Sequence, residues 1–148
     1  MPLALIISSH VAASHVGGTA QASALSILQI DSMVLPTVLY GRHPGWGLPG
    51  GARVAHETLE AMLGGVEANG LLARTDLVLT GYFASPEQVQ VAARAIDLAR
   101  GGRTDPQPVV IVDPTLGDGG KLYVPPEVAK AVIEDLAPRA DILAPNIW

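Results

Sequence analysis

Short apolar runs alternate with longer segments of helical period along this chain. Five runs rich in Val, Ile and Leu predict β-strands, and they cover residues 3–7, 33–39, 76–81, 109–112 and 141–143. The run at 109–112 consists only of β-branched residues, which is typical of a strand buried on both faces. Pro36 interrupts the second run, so we expect an edge or bulged position there.

The segments between the runs show helical periodicity. We predict helices over residues 19–29 and 52–71, a third that begins at Ser85-Pro86 and ends at Gly101-Gly102, and a fourth that begins at Pro125-Pro126. Serine as N-cap followed by proline is a common helix start. The expected buried faces are Ala20, Ala24, Ile27 and Leu28; Ala55, Leu59, Met62 and Val66; Val89, Ala92, Ala93, Ile96 and Ala99; and Val128, Val132 and Leu136.

This alternation predicts the α/β fold class. Strands separated by helices form parallel, right-handed crossover units, so the pattern indicates a parallel sheet of about five strands with helices on both faces. The 148 residues are enough for one domain.

Composition narrows the class of protein. Hydrophobic residues make up 49% of the chain and charged residues 16%, with a mean hydropathy of +0.34, which favours a sheet covered on both faces or a surface that meets a partner. The net charge of −5 and the lack of a basic stripe argue against nucleic-acid binding. Without cysteine there is no thiolate metal site, and no apolar run approaches the ~20 residues of a membrane span. We therefore expect a cytoplasmic protein.

Polar or ring-bearing residues lie at or near the ends of all five predicted strands. They are Ser9, Thr37, Tyr82, Asp113 and Asn146. Because the carboxyl ends of parallel strands share one edge of the sheet, these residues are expected to lie on one ligand-binding rim.

Two carboxylates follow the fourth strand, in the stretch V-V-I-V-D-P-T-L-G-D. Asp113 directly ends the strand and Asp118 lies in the same loop. Two acids at a strand end suit Mg²⁺, which takes oxygen ligands and shares them with phosphates. The alternative interpretation is a capped strand end with a solvated turn.

Two glycine-rich loops are candidate covers for a ligand. Residues 40–51 contain five glycines together with Tyr40, His43 and Trp46, which is typical of a mobile lid over a flat ring. A surface loop whose Trp46 packs into the core is the alternative. Residues 119–123 form a second flexible flap, which ends in Tyr123.

A set of motifs in one order carries a resemblance to a known family. These are S-H-V-x-x-x-H-x-G from Ser9, T-V from Thr37, H-x-x-x-G from His43, T-G-Y from Thr80, V-D-P-T-L-G-D from Val112, Y-V-P from Tyr123 and A-D-I-L-A-P-N from Ala140. Together they resemble the pyridoxal kinases of the ribokinase-like superfamily, over nearly the whole chain.

The resemblance implies ATP-dependent phosphorylation of the 5′-hydroxyl of pyridoxal, and of pyridoxine and pyridoxamine, with Mg²⁺ as cofactor and a homodimer as the assembly. It assigns Ser9 to a hydrogen bond with the pyridine ring. The other residues that it assigns to the substrate are Thr37, His43, Pro44, Gly45 and Tyr82. It assigns Asp113 and Asp118 to Mg²⁺ and the phosphates, and Tyr123, Ala144 and Asn146 to the ATP side.

Departures from the family pattern leave other functions open. Gly18 and Pro44-Gly45-Trp46 replace more polar residues, which bears on substrate range. The sequence ends at Trp148 and contains no G-x-G-D, the segment that carries the family's anion hole and catalytic base, so we expect an incomplete, inactive N-terminal half of a kinase domain. D-P-x-x-G also suits hydroxymethylpyrimidine phosphate kinase, although the glycine-rich turn of that family is absent after the first strand. A non-catalytic ligand-binding fragment and an unrelated α/β domain are further alternatives, but no G-x-G-x-x-G follows the first predicted strand, which argues against a dinucleotide binder.

Overall fold

The computed structural model describes residues 1–147, which form a six-stranded sheet with helices on both faces. The strands of the sheet are β1 (Leu3–Val11), β2 (Asp31–Tyr40), β3 (Gly51–Arg53), β4 (Leu77–Thr80), β5 (Val109–Val112) and β8 (Ile142–Leu143); β6 (Gly117–Asp118) and β7 (Lys121–Leu122) form a separate hairpin. The helices are α1 (Gly17–Ile27), α2 (His56–Ala68), α3 (Pro86–Gly101) and α4 (Pro126–Ala131). A π-helical turn at Val132–Leu136 continues α4.

The sheet order β3-β2-β1-β4-β5-β8 confirms the predicted α/β class. All neighbouring strands in it are parallel except β2 and β3, which are antiparallel. The short β3 was not predicted, because its sequence Gly-Ala-Arg has no apolar run and was assigned to the start of a helix. Pro36 lies at a shift in the β1–β2 register, where Ser8 pairs with Pro36 and His10 with Leu39, so the predicted bulge is confirmed.

The larger core lies between the sheet and helices α2, α3 and α4. The predicted inner faces of α3 and α4 are confirmed, since each of those side chains is buried. On α2, Leu59 is buried as predicted. The other buried side chain of this helix is Leu63, whereas Met62, which was predicted to be buried, is 37% exposed. Leu63 lies one turn after Leu59, so this pair defines a narrower apolar stripe than the predicted one.

Helix α1 covers the opposite face of the sheet, and its predicted inner face was wrong. Leu25 is its buried apolar side chain, whereas Ile27 is 83% and Leu28 is 68% exposed. The small residues at the start of α1 let the helix lie close to the sheet, since a Cβ on Gly18 would already be 3.3 Å from Val34 Cγ1. Leu25 lies seven residues, or two turns, after the buried Gly18 and shares its face of the helix, so Leu25, and not Ile27, faces the sheet.

The same face is left open toward β5 and β8. Val109 on β5 is 43% exposed, and Ile142 on the edge strand β8 is 49% exposed. The edge strand β8 therefore exposes unpaired backbone groups to solvent, and the apolar side chains beside it are exposed as well.

Within residues 1–147, no helix is long and apolar enough to cross a membrane.

Asp76 ties the start of β4 to two other segments, which gives a testable effect on stability. Its carboxylate accepts hydrogen bonds from the Leu3 amide (2.9 Å) and from Arg103 Nη1 (2.8 Å). These bonds, with that from Arg103 as the larger cause, hold the pKa of Asp76 below its usual value.

We expect Asp76→Asn to lower the free energy of unfolding by about 1 kcal/mol at pH 7, a modest value because the side chain is partly exposed. A depressed carboxyl pKa stabilises the fold above the unfolded-state value, and this contribution is lost as the pH falls through the lower, folded-state value. The difference between the proteins should therefore vanish in strong acid. Urea unfolding from pH 7 downward, with the exposed Asp31→Asn as control, measures it; a difference that persists in acid would contradict this assignment.

Candidate active site

The predicted rim exists at the carboxyl ends of the parallel strands. Thr37, near the end of β2, is fully buried, and its Oγ1 donates a hydrogen bond to the carbonyl oxygen of Tyr82 at 2.7 Å. Tyr82 follows β4, and β1 lies between β2 and β4 in the sheet. This bond therefore joins two rim segments across the end of β1.

Ser9 lies between these two segments, on β1 itself, and is 8% exposed. Gly17, the first residue of α1, faces it with φ +55°, and a Cβ at Gly17 would lie 2.0 Å from Ser9 Oγ. Only glycine allows this approach, because any side chain there would collide and would also be strained at that φ. The fold thus encloses the Ser9 hydroxyl between the end of β1 and the start of α1.

The loop after β2 forms a short 3₁₀ turn at Pro44–Trp46. His43 begins the turn, and its Nδ1 accepts a hydrogen bond from the Gly45 amide at 3.1 Å. Trp46 is 63% exposed, with its ring centroid 5.8 Å from that of His43, so the alternative of a tryptophan packed into the core is wrong. The use of this loop as a lid stays a prediction.

Tyr82 has neighbours that the sequence did not reveal. Burial raises the pKa of its phenol, Tyr40 adds to that increase, and Arg53 acts in the opposite direction. Arg53 Nη1 also donates to the Ala84 carbonyl oxygen at 3.5 Å. Arg53 was missed as a rim residue because the strand that carries it, β3, was not predicted.

Asp113 directly follows β5 and is partly buried. Thr115 Oγ1 donates to its Oδ1 at 3.1 Å. Burial raises the pKa of Asp113, while the hydrogen bond from Thr115 acts in the opposite direction. Within residues 1–147 this carboxylate forms no ion pair, so it carries a charge that a cation would stabilise.

The β6–β7 hairpin carries the second carboxylate, Asp118, and Tyr123 directly follows it. Asp118, in β6, is exposed, and its Oδ1 accepts a hydrogen bond from the Gly119 amide at 2.7 Å. Burial raises the pKa of the Tyr123 phenol, and the negative charges of Asp113 and Asp118 raise it further, with Tyr82 as a smaller cause. The charges of both carboxylates therefore act on the phenol of Tyr123 in the same direction as its burial.

The segment after β8 is bonded to the end of β5 and to this hairpin. The Ala144 amide donates to the Val112 carbonyl oxygen at 3.0 Å, and Asn146 Nδ2 donates to the Gly117 carbonyl oxygen at 2.9 Å. Both residues are exposed. The expectation that a catalytic base follows Trp148 lies outside the described residues.

The donor set fits a cation that is shared with a ligand. In the part of the chain that the structure describes, no three His, Cys, Asp or Glu side chains come together as a metal site. Two carboxylates fit Mg²⁺ only when waters and phosphate oxygens complete its shell, which is how this ion is usually held beside nucleotides. Asp113 and Asp118 are therefore suited to hold Mg²⁺ with phosphate, and not alone.

Comparison with known proteins shows similarity of the whole chain to pyridoxal kinases. No protein-family profile matches the chain. A pyridoxal kinase of Pseudomonas putida is 32% identical over 146 residues, which is 98% of this chain and 50% of that protein. The structure of pyridoxal kinase from Leishmania donovani in complex with ADP and pyridoxamine has 32% identity and a TM-score of 0.93 over 99% of this chain and 50% of the other. The structure of pyridoxal kinase from Entamoeba histolytica has 30% identity and a TM-score of 0.90, over 98% of this chain and 50% of the other.

The fold is thus a mostly parallel α/β sheet with helices on both faces, and it matches half of the pyridoxal kinase structures. The chain is a homologue of the pyridoxal kinases and corresponds to their N-terminal half. It spans about half the length of the relatives that it matches.

Proposed function

We propose that this chain supplies the vitamin-binding side and the phosphate-facing carboxylates of a pyridoxal kinase, which transfers the γ-phosphoryl group of ATP to the 5′-hydroxyl of pyridoxal, pyridoxine or pyridoxamine. The observation that carries the proposal is the match of 99% of the chain, at a TM-score of 0.93, to a kinase solved with ADP and pyridoxamine. We further propose that the protein acts as a homodimer. The tests below use the natural gene product in its full length, called the complete protein.

The vitamin side is formed by the ends of β1, β2 and β4. Ser9 donates or accepts a hydrogen bond at the ring nitrogen, and the buried position of its hydroxyl strengthens that bond by excluding water. Thr37 and Tyr82, joined by their hydrogen bond, border the ring, and the His43–Gly45 turn covers it. Enclosure of this kind fixes the orientation of the 5′-hydroxyl.

The phosphate side is formed by Asp113, Asp118 and Tyr123. Phosphoryl transfer depends mainly on positioning and on neutralising the phosphate charge, and bound Mg²⁺ supplies that neutralisation. Asp113 and Asp118 hold the ion, the hydrogen bond from Thr115 orients the Asp113 carboxylate, and Tyr123 on the hairpin shields the phosphates from water. Ala144 and Asn146 border the nucleotide.

A second candidate is binding of the vitamin without turnover. Residues 1–148 carry the proposed vitamin-binding side, and no G-x-G-D segment lies among them. Turnover by the complete protein separates the two: a kinase forms pyridoxal 5′-phosphate and ADP, whereas a binding protein only retains the vitamin.

The first test of the vitamin site is Ser9→Ala in the complete protein. Loss of one hydrogen bond to a buried ring nitrogen should weaken pyridoxal binding by about 1–2 kcal/mol, or roughly 5- to 30-fold in Kd. Calorimetric titration of pyridoxal measures this, with Ser26→Ala on the exposed side of α1 as control. Equal dissociation constants for wild type and Ser9→Ala would remove Ser9 from the site.

A further inference from the structure

Gln88 is a fully buried polar residue that none of the proposed roles uses. It lies in the first turn of α3 and is 1% exposed. Together with the N-cap Ser85 it forms the S-x-x-Q pattern of a capping box, and Ser85 Oγ accepts a hydrogen bond from the Gln88 amide at 3.4 Å. In a regular capping box the glutamine side chain would return to the N-cap amide, so its actual partners need another explanation.

The Gln88 side chain instead bonds to three segments around the rim. Its Oε1 accepts a hydrogen bond from the Ala84 amide at 2.8 Å. Its Nε2 donates to the Thr37 carbonyl oxygen at 2.9 Å and to the Val54 carbonyl oxygen at 2.7 Å. Both amide hydrogens are therefore used, and the group is fully satisfied without a ligand.

These partners are the supports of the vitamin side. Thr37 and Val54 flank the loop that carries the His43–Gly45 turn, and the Val54 amide also donates to the Thr37 carbonyl oxygen at 3.0 Å. Ala84 follows Tyr82 by two residues, and the Thr37 hydroxyl is bonded to the Tyr82 carbonyl oxygen. One amide group thus fixes the end of β2, both ends of the loop and the segment after β4 relative to each other.

We propose that Gln88 is a positioning residue for substrate, which holds Thr37, Tyr82 and the His43–Gly45 loop in the arrangement that binds the vitamin ring. We assign it no contact with the substrate, and its side-chain partners differ from those of the phosphate-facing carboxylates, which bond to Thr115 and Gly119. The inference rests on the proposed function for the identity of the substrate. We call the three hydrogen bonds of the Gln88 side chain, to Ala84, Thr37 and Val54, the clamp. Its existence does not depend on the identity of the substrate.

The test compares three variants of the complete protein. Gln88→Glu keeps the acceptor for the Ala84 amide but replaces the donor with a carboxylate oxygen that cannot bond two carbonyl groups. Gln88→Met removes all three bonds without adding a charge and covers the case in which Gln88→Glu does not fold. Gln90→Glu, exposed on the same helix, is the matched control.

For both Gln88 variants we expect the KM for pyridoxal to rise about 10-fold or more, because a site displaced by a fraction of an ångström binds its ring poorly. The KM for ATP should stay within about twofold, since the phosphate side is not held by Gln88. Amide hydrogen exchange in residues 41–50 should accelerate, while exchange in β1, β4 and β5 stays unchanged. Gln90→Glu should match wild type in each measurement.

An unchanged KM for pyridoxal, or an equal loss on the ATP side, would overturn the positioning role. In wild type the Ala84 amide should exchange as slowly as the amides of β4, and rapid exchange there would overturn the clamp without any mutation. If wild type itself neither binds nor phosphorylates pyridoxal, the proposed function fails, and the exchange of residues 41–50 and Ala84 still decides the clamp.

Discussion

The 148-residue chain expressed alone is expected to associate in solution and to show no measurable pyridoxal kinase activity. The edge strand β8 presents unpaired backbone groups. Apolar side chains of β8 and of its neighbour β5 are exposed beside it: Val109 is 43%, Ile142 49% and Leu143 51% exposed. Such an edge beside apolar surface invites pairing with another chain. The anion hole and base that the family resemblance implies are not in this sequence, and such groups supply most of the acceleration, so the loss should amount to many orders of magnitude.

Light scattering during size exclusion, together with a coupled assay for ADP, measures both parts of this prediction. Leu143→Lys, which places a charge on the open edge strand, should reduce the association. Ile27→Lys, at an exposed position of α1, a helix that packs on β1 and β2 and not on the edge strand, is the matched control and should change it less. A monodisperse monomer that forms pyridoxal 5′-phosphate at enzyme-like rates would contradict this account.

Asp113→Asn in the complete protein is expected to lower turnover by at least about 100-fold, because it removes a charge that holds Mg²⁺ against the phosphates. The KM for pyridoxal should stay within about twofold, since Asp113 faces the phosphate side. The Asn side chain keeps the size of Asp and can still accept the hydrogen bond from Thr115, so the loop should keep its shape.

Steady-state kinetics at several Mg²⁺ concentrations tests this prediction. The variant should need more Mg²⁺ for half-maximal turnover, whereas Asp31→Asn, at the opposite end of the sheet, should behave as wild type. Turnover and Mg²⁺ dependence at wild-type values would show that Asp113 only ends its strand.

The α/β class and the common rim could be predicted because each rests on a strong local signal. Val109–Val112 is β-branched throughout, and Ser85-Pro86 is an unambiguous helix start; the structure confirms both elements. Since crossover connections make the strands parallel, the positions of Thr37, Tyr82 and Asp113 followed from the strand ends alone.

The remaining features depend on tertiary contacts that no periodicity encodes. The inner face of α1 was misassigned because it begins at Gly18, a residue without a side chain, and Leu25 lies two turns later on the same face. The strand that carries Arg53 was missed because it is held by pairing with β2 and not by apolar burial. For Gln88, the S-x-x-Q pattern was a usable signal for a polar helix start, but its bonds to Thr37 and Val54 span 51 and 34 residues of sequence.

Product formation by the complete protein tests the central proposal most directly. The complete protein is supplied with ATP, Mg²⁺ and either pyridoxal or hydroxymethylpyrimidine, and the phosphorylated product is quantified in each case. We predict pyridoxal 5′-phosphate formation that requires both ATP and Mg²⁺, with kcat/KM at least about 10-fold higher for pyridoxal than for hydroxymethylpyrimidine. No phosphorylated product, or a preference for hydroxymethylpyrimidine, would contradict the assignment of this rim to the vitamin.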